Sequence, residues 1–233
     1  MKKMTMALFI ISIIGGCTKE KDPVTLDRES VSLYYKDSVQ LRANPPSGNL
    51  IWYSSHPYHA TVSPTGMVKA GKIGKATITV EQARCFVEIV PKHNLYEEPV
   101  TDWNIYKDEL IAQLGKPYRM ENHFVVYEYN DTVPFIFYSF DTDNKLRSAM
   151  VLIKSVYSSQ LSEFLDERYT LFSMGSTPEL QYFYINALRE NDATLRVGMG
   201  IYNLDYRAVS YTPLLTKGDV YLHPFKEIIH SVI

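Results

Sequence analysis

Apolar and polar residues alternate with a period of two in short runs across residues 24–91, and this pattern constrains the fold most. Val31 and Leu33, for example, share one side of a predicted strand, because successive side chains of an extended chain point to opposite faces. Turn signals such as Lys36-Asp37 and the proline-containing loop at residues 44–48 interrupt the alternation. Further strands are predicted at residues 50–54, 73–80 and 86–90. Short strands separated by turn signals at intervals of roughly 8–12 residues are typical of a β-sandwich.

The same module carries motifs that resemble a known family. They are Trp52-Tyr53-Ser54-Ser55-His56-Pro57, Ala60-Thr61-Val62, Gly66-Met67-Val68, Ala70, Gly74 and Ala76-Thr77-Ile78. In order and spacing these motifs resemble the bacterial Ig-like domain of group 2. The resemblance implies an Ig-like β-sandwich over residues 24–91, of a kind common in surface proteins and adhesins and often used as a spacer. That family has no catalytic residues, so the resemblance implies none here.

Some residues of this module could carry chemistry, but each is better interpreted as structural. Cys85 falls on the apolar side of the alternation over residues 85–89, which predicts a buried small side chain rather than a reactive or bridging thiol. Trp52 is interpreted as a residue that anchors the core rather than as a platform for a ligand. His56 and His59 have no third metal ligand nearby in the sequence, so we interpret them as loop residues.

The amino terminus has the pattern of an export signal. Met1-Lys2-Lys3 is basic, residues 7–14 are apolar apart from one serine, and Gly15-Gly16 precedes Cys17. The apolar run is too short to span about 30 Å of hydrocarbon as a helix. Ile14-Gly15-Gly16-Cys17 resembles the lipobox of bacterial lipoproteins, in which the cysteine is acylated and becomes the first residue of the mature chain. The resemblance implies a signal peptide at residues 1–16 and lipidation of Cys17.

The residues that follow Cys17 bear on where the protein is anchored. Residues 17–23 form a polar tether, and it lacks an Asp directly after the cysteine, the signal that retains lipoproteins in the inner membrane of enteric bacteria. A charged stretch at this position also resembles the surface-export signal of Bacteroidetes lipoproteins. These resemblances imply a lipid anchor in the outer membrane, and they favour the cell surface over the periplasmic face.

A second module is predicted after a linker at Glu97-Glu98-Pro99. Helical spacing of apolar residues between residues 106 and 114 predicts a helix that Asp102 caps and that ends at Gly115-Lys116-Pro117. Strands are predicted at residues 124–129, 135–140 and 146–153. Residues 103–153 loosely resemble small helix-then-meander modules of envelope lipoproteins, one of which belongs to the machinery that assembles outer-membrane barrels. An uncharacterised carboxyl-terminal domain of Bacteroidetes lipoproteins fits at least as well.

The pattern then starts again. Ser158 or Ser159 is predicted to cap a second helix that contains Leu161, Phe164 and Leu165. Four strands are predicted at residues 169–174, 180–187, 194–199 and 206–211, with turns at residues 175–178 and 191–192. The predicted fold is therefore mostly β: a sandwich, then an α+β module of two tandem helix-plus-antiparallel-meander repeats at residues 95–155 and 156–215. The tail, residues 216–233, is apolar enough to pack as an edge strand or a short helix.

Several kinds of chemistry are not supported by the sequence. The net charge of −2, from 24 basic and 26 acidic residues, argues against a general nucleic-acid binder. Asp141-Thr142-Asp143 opens like a calcium loop, but Leu146 and Leu152 stand where the loop needs a glycine and an acidic residue, so we predict a turn. No catalytic residue, metal ligand or cofactor is predicted.

Tyrosine is abundant, with 18 residues, and most of those in the second module lie on predicted strands. Tyr127 and Tyr129 share one face of their strand, as do Tyr182 and Tyr184. Such a face could stack on sugar rings or on a partner protein, but cross-strand packing under the helices is the favoured interpretation. No ligand-binding residue is therefore assigned.

The sequence favours a non-enzymatic lipoprotein in which an Ig-like spacer presents an α+β module that binds an unknown protein or glycan. One alternative is a periplasm-facing structural or envelope-assembly lipoprotein that contacts another membrane protein. Another is a glycan-active enzyme, because carboxylates distant in sequence can meet in a fold.

Overall fold

The computed structural model describes residues 22–46, 49–177 and 180–214, together with Ile229. The predicted signal peptide, Cys17, most of its tether and, apart from Ile229, the predicted tail lie outside the described residues. Within those residues, no helix is long and apolar enough to cross a membrane.

The amino-terminal module is a two-layer β-sandwich, called the sandwich below. Its strands are β1 (Thr25–Leu26), β2 (Ser30–Leu33), β3 (Ser38–Gln40), β4 (Ala43–Asn44), β5 (Trp52–Ser54), β6 (Ala60–Val62), β7 (Met67–Ala70), β8 (Gly74–Val80) and β9 (Ala83–Ile89). One sheet has the order β2-β9-β8-β5, the other has the order β3-β7-β6, and β1 pairs with β4. Strand β2 runs parallel to β9, whereas β8 pairs with its neighbours antiparallel. The predicted sandwich is confirmed.

The sandwich core contains the side chains that the alternation placed inside. Cys85 is fully buried in it, and the Trp52 ring packs against it, which confirms both structural interpretations. Gly66 has φ +82°, and a Cβ atom there would lie 2.7 Å from the Leu41 carbonyl oxygen and 2.7 Å from Cζ2 of Trp52. Glycine is therefore needed for the turn and for the close approach of the indole.

The carboxyl-terminal module, called the sheet module below, has two helices and eight strands. They are α1 (Lys107–Leu114), β10 (Arg119–Met120), β11 (Phe124–Glu128), β12 (Phe135–Phe140), β13 (Leu146–Lys154), α2 (Ser158–Asp166), β14 (Thr170–Thr177), β15 (Leu180–Ile185), β16 (Leu195–Ile201) and β17 (Tyr206–Pro213). Strand β10 was not predicted from the sequence. Strand β14 continues to Thr177, so residues 175–177 belong to a strand and not to the predicted turn.

The start of α1 differs from the prediction. Asp102 does not cap it; the Asp102 carboxylate accepts a 3.0 Å hydrogen bond from the Asn104 backbone N–H, which makes a turn before the helix. The residue that precedes the helix is Tyr106, whose backbone N–H donates to the Glu109 carboxylate at 2.9 Å. Glu109, the third residue of the helix, thus accepts a hydrogen bond from the backbone N–H of Tyr106, and the helix start does not need Asp102 as its cap.

The start of α2 also differs. Ser158 is its first residue rather than its cap, and the Ser158 hydroxyl donates to the Ser155 carbonyl oxygen at 2.6 Å. Ser159 lies inside the helix. A short 3-10 turn at Ser155–Tyr157 leads directly into α2, so the chain needs no separate capping serine there.

The eight strands of the sheet module form one continuous antiparallel sheet in the order β10-β11-β12-β13-β17-β16-β15-β14. Each half is a helix followed by a four-stranded meander, and the last strands of the two meanders pair, with Ala149 opposite Tyr211 and Val151 opposite Val209. Apart from β10, the element order matches the predicted order, but the prediction that the halves are repeats of one another stays a prediction.

Both faces of this sheet are apolar. On one face, Leu110 of α1 and three side chains of α2 share a core with residues from both meanders. On the other face, Val126, Phe137 and Met150 form a second cluster, and Ile229, which is 1% exposed, packs into it. A sheet buried on both sides explains why β12 and β13 read as nearly continuous apolar runs rather than as alternating ones.

Candidate functional site

The predicted site residue, Cys17, lies outside the described residues, and the sequence assigned no ligand-binding residue. Two regions of the described chain nevertheless combine charged or exposed aromatic groups with a cavity. One is the junction where the sandwich meets the end of α2. The other is the outer face of the four-stranded sheet.

The junction is built on the carboxyl end of α2, where backbone carbonyls lack partners within the helix. The sandwich supplies those partners. The Ile73 N–H donates to the Glu167 carbonyl at 2.9 Å, the Tyr58 hydroxyl donates to the Arg168 carbonyl at 2.8 Å, and the Lys72 ammonium donates to the Asp166 carbonyl. A loop of one module therefore completes the helix end of the other, and a cation at that end is also favoured by the helix dipole.

The Glu167 side chain makes the reciprocal contact. It is 2% exposed, and its carboxylate accepts hydrogen bonds from the backbone N–H groups of Lys92 and His93, each at 3.1 Å. Arg168 adds a 2.6 Å ion pair to the same carboxylate. A buried charge is tolerated when it is paired and fully hydrogen-bonded, so this carboxylate holds the chain that leaves the sandwich.

Lys72 is a cation of the junction, and its surroundings lower the pKa of its ammonium group. Besides its bond to the Asp166 carbonyl, its ammonium donates to the Tyr35 hydroxyl at 3.0 Å and lies 4.3 Å from the centre of that ring. Burial lowers the pKa of Lys72 to about 8; the nearby Asp166 opposes the shift, and Lys36 adds to it. Burial likewise raises the pKa of the Tyr58 hydroxyl.

The predicted linker, Glu97-Glu98-Pro99, is tied to the sheet module. Tyr96, directly before it, is buried, and its hydroxyl shares a 2.6 Å hydrogen bond with the Tyr211 hydroxyl. Glu98 accepts a hydrogen bond from the Tyr169 hydroxyl and lies 3.7 Å from the Arg168 guanidinium. Glu97 and Glu98 are exposed and Pro99 is buried, so the predicted linker joins the two modules while the residues on either side of it pack on the sheet module.

Burial changes the acidity of these groups. It raises the pKa of Glu98 against the opposing effects of the Tyr169 hydroxyl and the Arg168 charge. It also raises the pKa values of Tyr96 and Tyr211. The tyrosine hydroxyls therefore stay protonated and serve as hydrogen-bonding groups in a largely apolar core.

A cavity of about 240 Å³ opens beside the junction. Three of its charged or titratable groups are already engaged: His93 Nδ1 lies 3.4 Å from the Glu163 carboxylate, and the Glu167 carboxylate accepts from the backbone at Lys92 and His93. The cavity is lined by Tyr34, Tyr35, Lys36, Lys92, His93, Glu163, Asp166 and Glu167. This arrangement supports a structural joint more than a site for acid–base chemistry.

A larger cavity, of about 530 Å³, lies on the outer face of the sheet β2-β9-β8-β5. Ser30, Phe86 and Thr77 form a cross-strand row on that face. Phe86 is 61% exposed, and Tyr53, on β5 of the same sheet, is 65% exposed. The aromatic side chains among short hydroxyl side chains make this face a candidate contact surface.

The strand tyrosines pack, as the sequence analysis favoured. Tyr138, Tyr184 and Tyr211 are buried in the core under the helices. Tyr127 and Tyr182 pack against the same core. Tyr129, which was predicted to share a face with Tyr127, is 39% exposed.

The two loop histidines and the acidic turn behave as structural elements. His59 Nδ1 lies 3.1 Å from the Lys72 carbonyl oxygen, so this side chain helps to shape the junction loop. Asp141 accepts hydrogen bonds from the backbone N–H groups of Asp143 and Lys145, each at 2.9 Å, which confirms the predicted turn. Among the described residues there is no group of three His, Cys, Asp or Glu side chains that could hold a metal ion.

The sequence did not predict a structural role for Glu167 or Arg168. A charged pair directly after an amphipathic helix is an ordinary pattern of a solvated helix end. The partners of the Glu167 carboxylate lie 74 and 75 residues earlier in the chain, so no local signal marks the contact.

The fold and the junction define a two-module, mostly β protein in which a β-sandwich is fixed to the end of a helix in an α+β sheet module. Residues 21–84 match the family model of the bacterial Ig-like domain, group 2, and the sandwich is that domain. The match ends inside β9, whose pairing with β2 continues to Ile89. No curated protein matches the chain.

Proposed function

We propose that this chain is a non-enzymatic envelope lipoprotein in which the Ig-like domain supports a sheet module that binds a partner. Its anchor is a lipid on Cys17, its membrane is the outer membrane, and its sheet module faces the cell exterior. The binding partner is a protein or a glycan.

The observation that carries this proposal is the junction. Three donors of the Ig-like domain bind the carbonyls at the end of α2, and Glu167 holds the backbone at Lys92 and His93. An Ig-like domain fixed in this way can set the position of the second module, which is what a spacer must do. The family matched by residues 21–84 is generally non-catalytic, which also supports a structural or adhesive role.

The anchor is tested by replacing Cys17 with Ala and separating membranes from soluble protein. We expect the natural chain to fractionate with membranes and to give an acylated amino-terminal peptide by mass spectrometry. The variant should remain uncleaved and unacylated. Thr18→Ala is the matched control and should behave like the natural chain, whereas an unmodified cysteine at the mature amino terminus would overturn the proposal.

The orientation is tested by protease treatment of intact cells. A surface-exposed protein is digested from outside, and its loss can be followed with an antibody against the sheet module. Protection in intact cells, followed by digestion once the outer membrane is opened, would instead support the periplasm-facing alternative. Co-purification with an outer-membrane barrel protein in detergent would then identify an assembly role.

A further inference from the structure

The two edges of the eight-stranded sheet differ in how they are protected. Among the described strands, β10 forms one edge and β14 the other. Strand β10 has two residues, and its Arg119 makes a 2.7 Å ion pair with Glu121. A short edge that carries a charge resists pairing with another chain. Strand β14, in contrast, has eight residues.

Strand β14 lacks the usual defences of an edge. Its sequence, TLFSMGST, contains no charged residue and no proline. Leu171 is 43% exposed, Phe172 is 45% exposed and Met174 is 75% exposed. A long uncharged edge with exposed apolar side chains presents both unpaired backbone groups and apolar surface to another strand.

We propose that β14 pairs antiparallel with β14 of a second copy of this chain and so makes a two-fold symmetric dimer with a continuous sheet. Under two-fold symmetry each residue of the strand meets residues of the same strand. A charged strand would then bring like charges together, which is destabilising. The absence of charge removes that cost, so the chemistry of β14 suits its own copy.

The side chains of β14 are arranged to meet across such a pair. Leu171 lies opposite Tyr184 and Met174 lies opposite Tyr182 in the sheet, which places both on the face that the helices cover. The pairing with β15 shifts register between Leu171 and Ser173, so Phe172 is the extra residue of a bulge.

The Ig-like domain contacts the sheet module at the start of β14. The Tyr58 hydroxyl donates to the Arg168 carbonyl at 2.8 Å and to the Ile185 carbonyl, opposite Thr170, at 3.3 Å, so the proposed pairing uses β14 from Leu171 onward. In an antiparallel two-fold pair, the strand starts lie at opposite ends, so the two Ig-like domains are kept apart. The inference concerns the sheet module alone and does not depend on the proposed anchor.

The test measures the mass of the full chain in a mild detergent, so that its amino-terminal apolar segment does not cause association. Light scattering coupled to gel filtration separates the protein mass from the detergent mass. We expect twice the 26.8 kDa of the chain. Met174→Lys and Phe172→Lys should each lose the dimer and leave a folded monomer, as judged by circular dichroism.

Met120→Lys is the matched control, because Met120 is a 58% exposed methionine on the other edge strand. It should remain dimeric. The proposal is overturned if the natural chain is monomeric at every concentration, if both β14 variants stay dimeric, or if Met120→Lys dissociates equally.

Discussion

The backbone N–H of Ile73 donates a 2.9 Å hydrogen bond to the carbonyl oxygen of Glu167. A loop between two strands of the Ig-like domain thereby supplies a hydrogen-bond donor to the carboxyl end of α2, a helix that begins at Ser158. Since each module supplies groups that the other needs, the joint is expected to contribute to the stability of both modules.

Replacing Glu167 with Gln should destabilise the protein. The amide keeps one acceptor oxygen but loses the charge that holds Arg168, and it leaves a buried N–H group of residues 92–93 without its partner. We expect a loss of about 2–4 kcal/mol in the free energy of unfolding, measured by urea denaturation. Limited proteolysis near residues 91–95 should become faster.

Glu163→Gln is the control for that experiment. Glu163 lies in α2, and although its carboxylate is 3.4 Å from His93 Nδ1 its side chain is 56% exposed, so its replacement should change the stability by no more than about 0.5 kcal/mol. Equal effects of the two substitutions would mean that the Glu167 carboxylate is not the group that holds the junction.

Lys72 should make the stability of the protein depend on pH. Its pKa in the folded state is lowered to about 8, against an ordinary value of 10.5. Between these values the unfolded state binds more protons, so the free energy of unfolding contributed by this residue rises as the pH increases from about 8. Below that pH the ammonium is charged in both states, and the cost of burying it is fully present.

The contribution of Lys72 is isolated by comparing the natural chain with Lys72→Met from pH 7.5 to 9.5 in urea titrations, where buried tyrosines with raised pKa values stay protonated. The natural chain should gain stability relative to the variant as the pH rises. Lys75→Met is the control, because the Lys75 side chain is 81% exposed, and it should run parallel to the natural chain. A parallel curve for Lys72→Met would contradict the prediction.

Gly66 and Gly115 form a matched pair for testing the packing of Trp52. Both have positive φ, +82° and +85°, but a Cβ atom at Gly115 would meet nothing within 4 Å, whereas one at Gly66 would lie 2.7 Å from Trp52. Gly115→Ala should cost about 1–3 kcal/mol from backbone strain. Gly66→Ala should cost about 1–3 kcal/mol more, because the Trp52 indole and the Leu41 carbonyl must also move.

Thermal unfolding of the two glycine variants gives this difference directly. In a Trp103→Phe background, Trp52 is the remaining tryptophan, and its emission should shift to longer wavelength as the displaced indole gains exposure. Equal melting temperatures for the two variants would show that the indole adapts to a methyl group without cost.

The sequence predicted the Ig-like domain well because its pattern is local. Alternation placed Cys85 inside, and the motif around Trp52 carried the family resemblance. The elements of the sheet module were also predicted in the correct order, with helix starts misplaced at Asp102 and Ser158. Those starts were missed because Glu109 and the turn before Ser158 satisfy the groups that a capping side chain would otherwise satisfy.

The remainder depends on contacts between distant residues. Nothing near Ala149 or Tyr211 indicates that their strands pair, because an apolar strand can join either neighbour. The junction is equally hidden, since Glu167 resembles any acidic residue after a helix until the backbone of His93 is brought to it. Backbone N–H and carbonyl groups occur in nearly every residue, so no residue type in the sequence marks a site that is made of them.

Ile229 should contribute to the stability of the sheet module. It is 1% exposed and packs in a cluster with Val126, Phe137 and Met150 on the face of the sheet opposite the helices. Ile229→Ala removes buried apolar volume and should cost about 2–5 kcal/mol in the free energy of unfolding. Ile51→Ala is the control, because Ile51 is 82% exposed, and it should change stability by less than about 0.5 kcal/mol. Binding of an apolar dye should increase for the Ile229 variant as the cluster opens, and an unchanged melting temperature would contradict its role in covering this face.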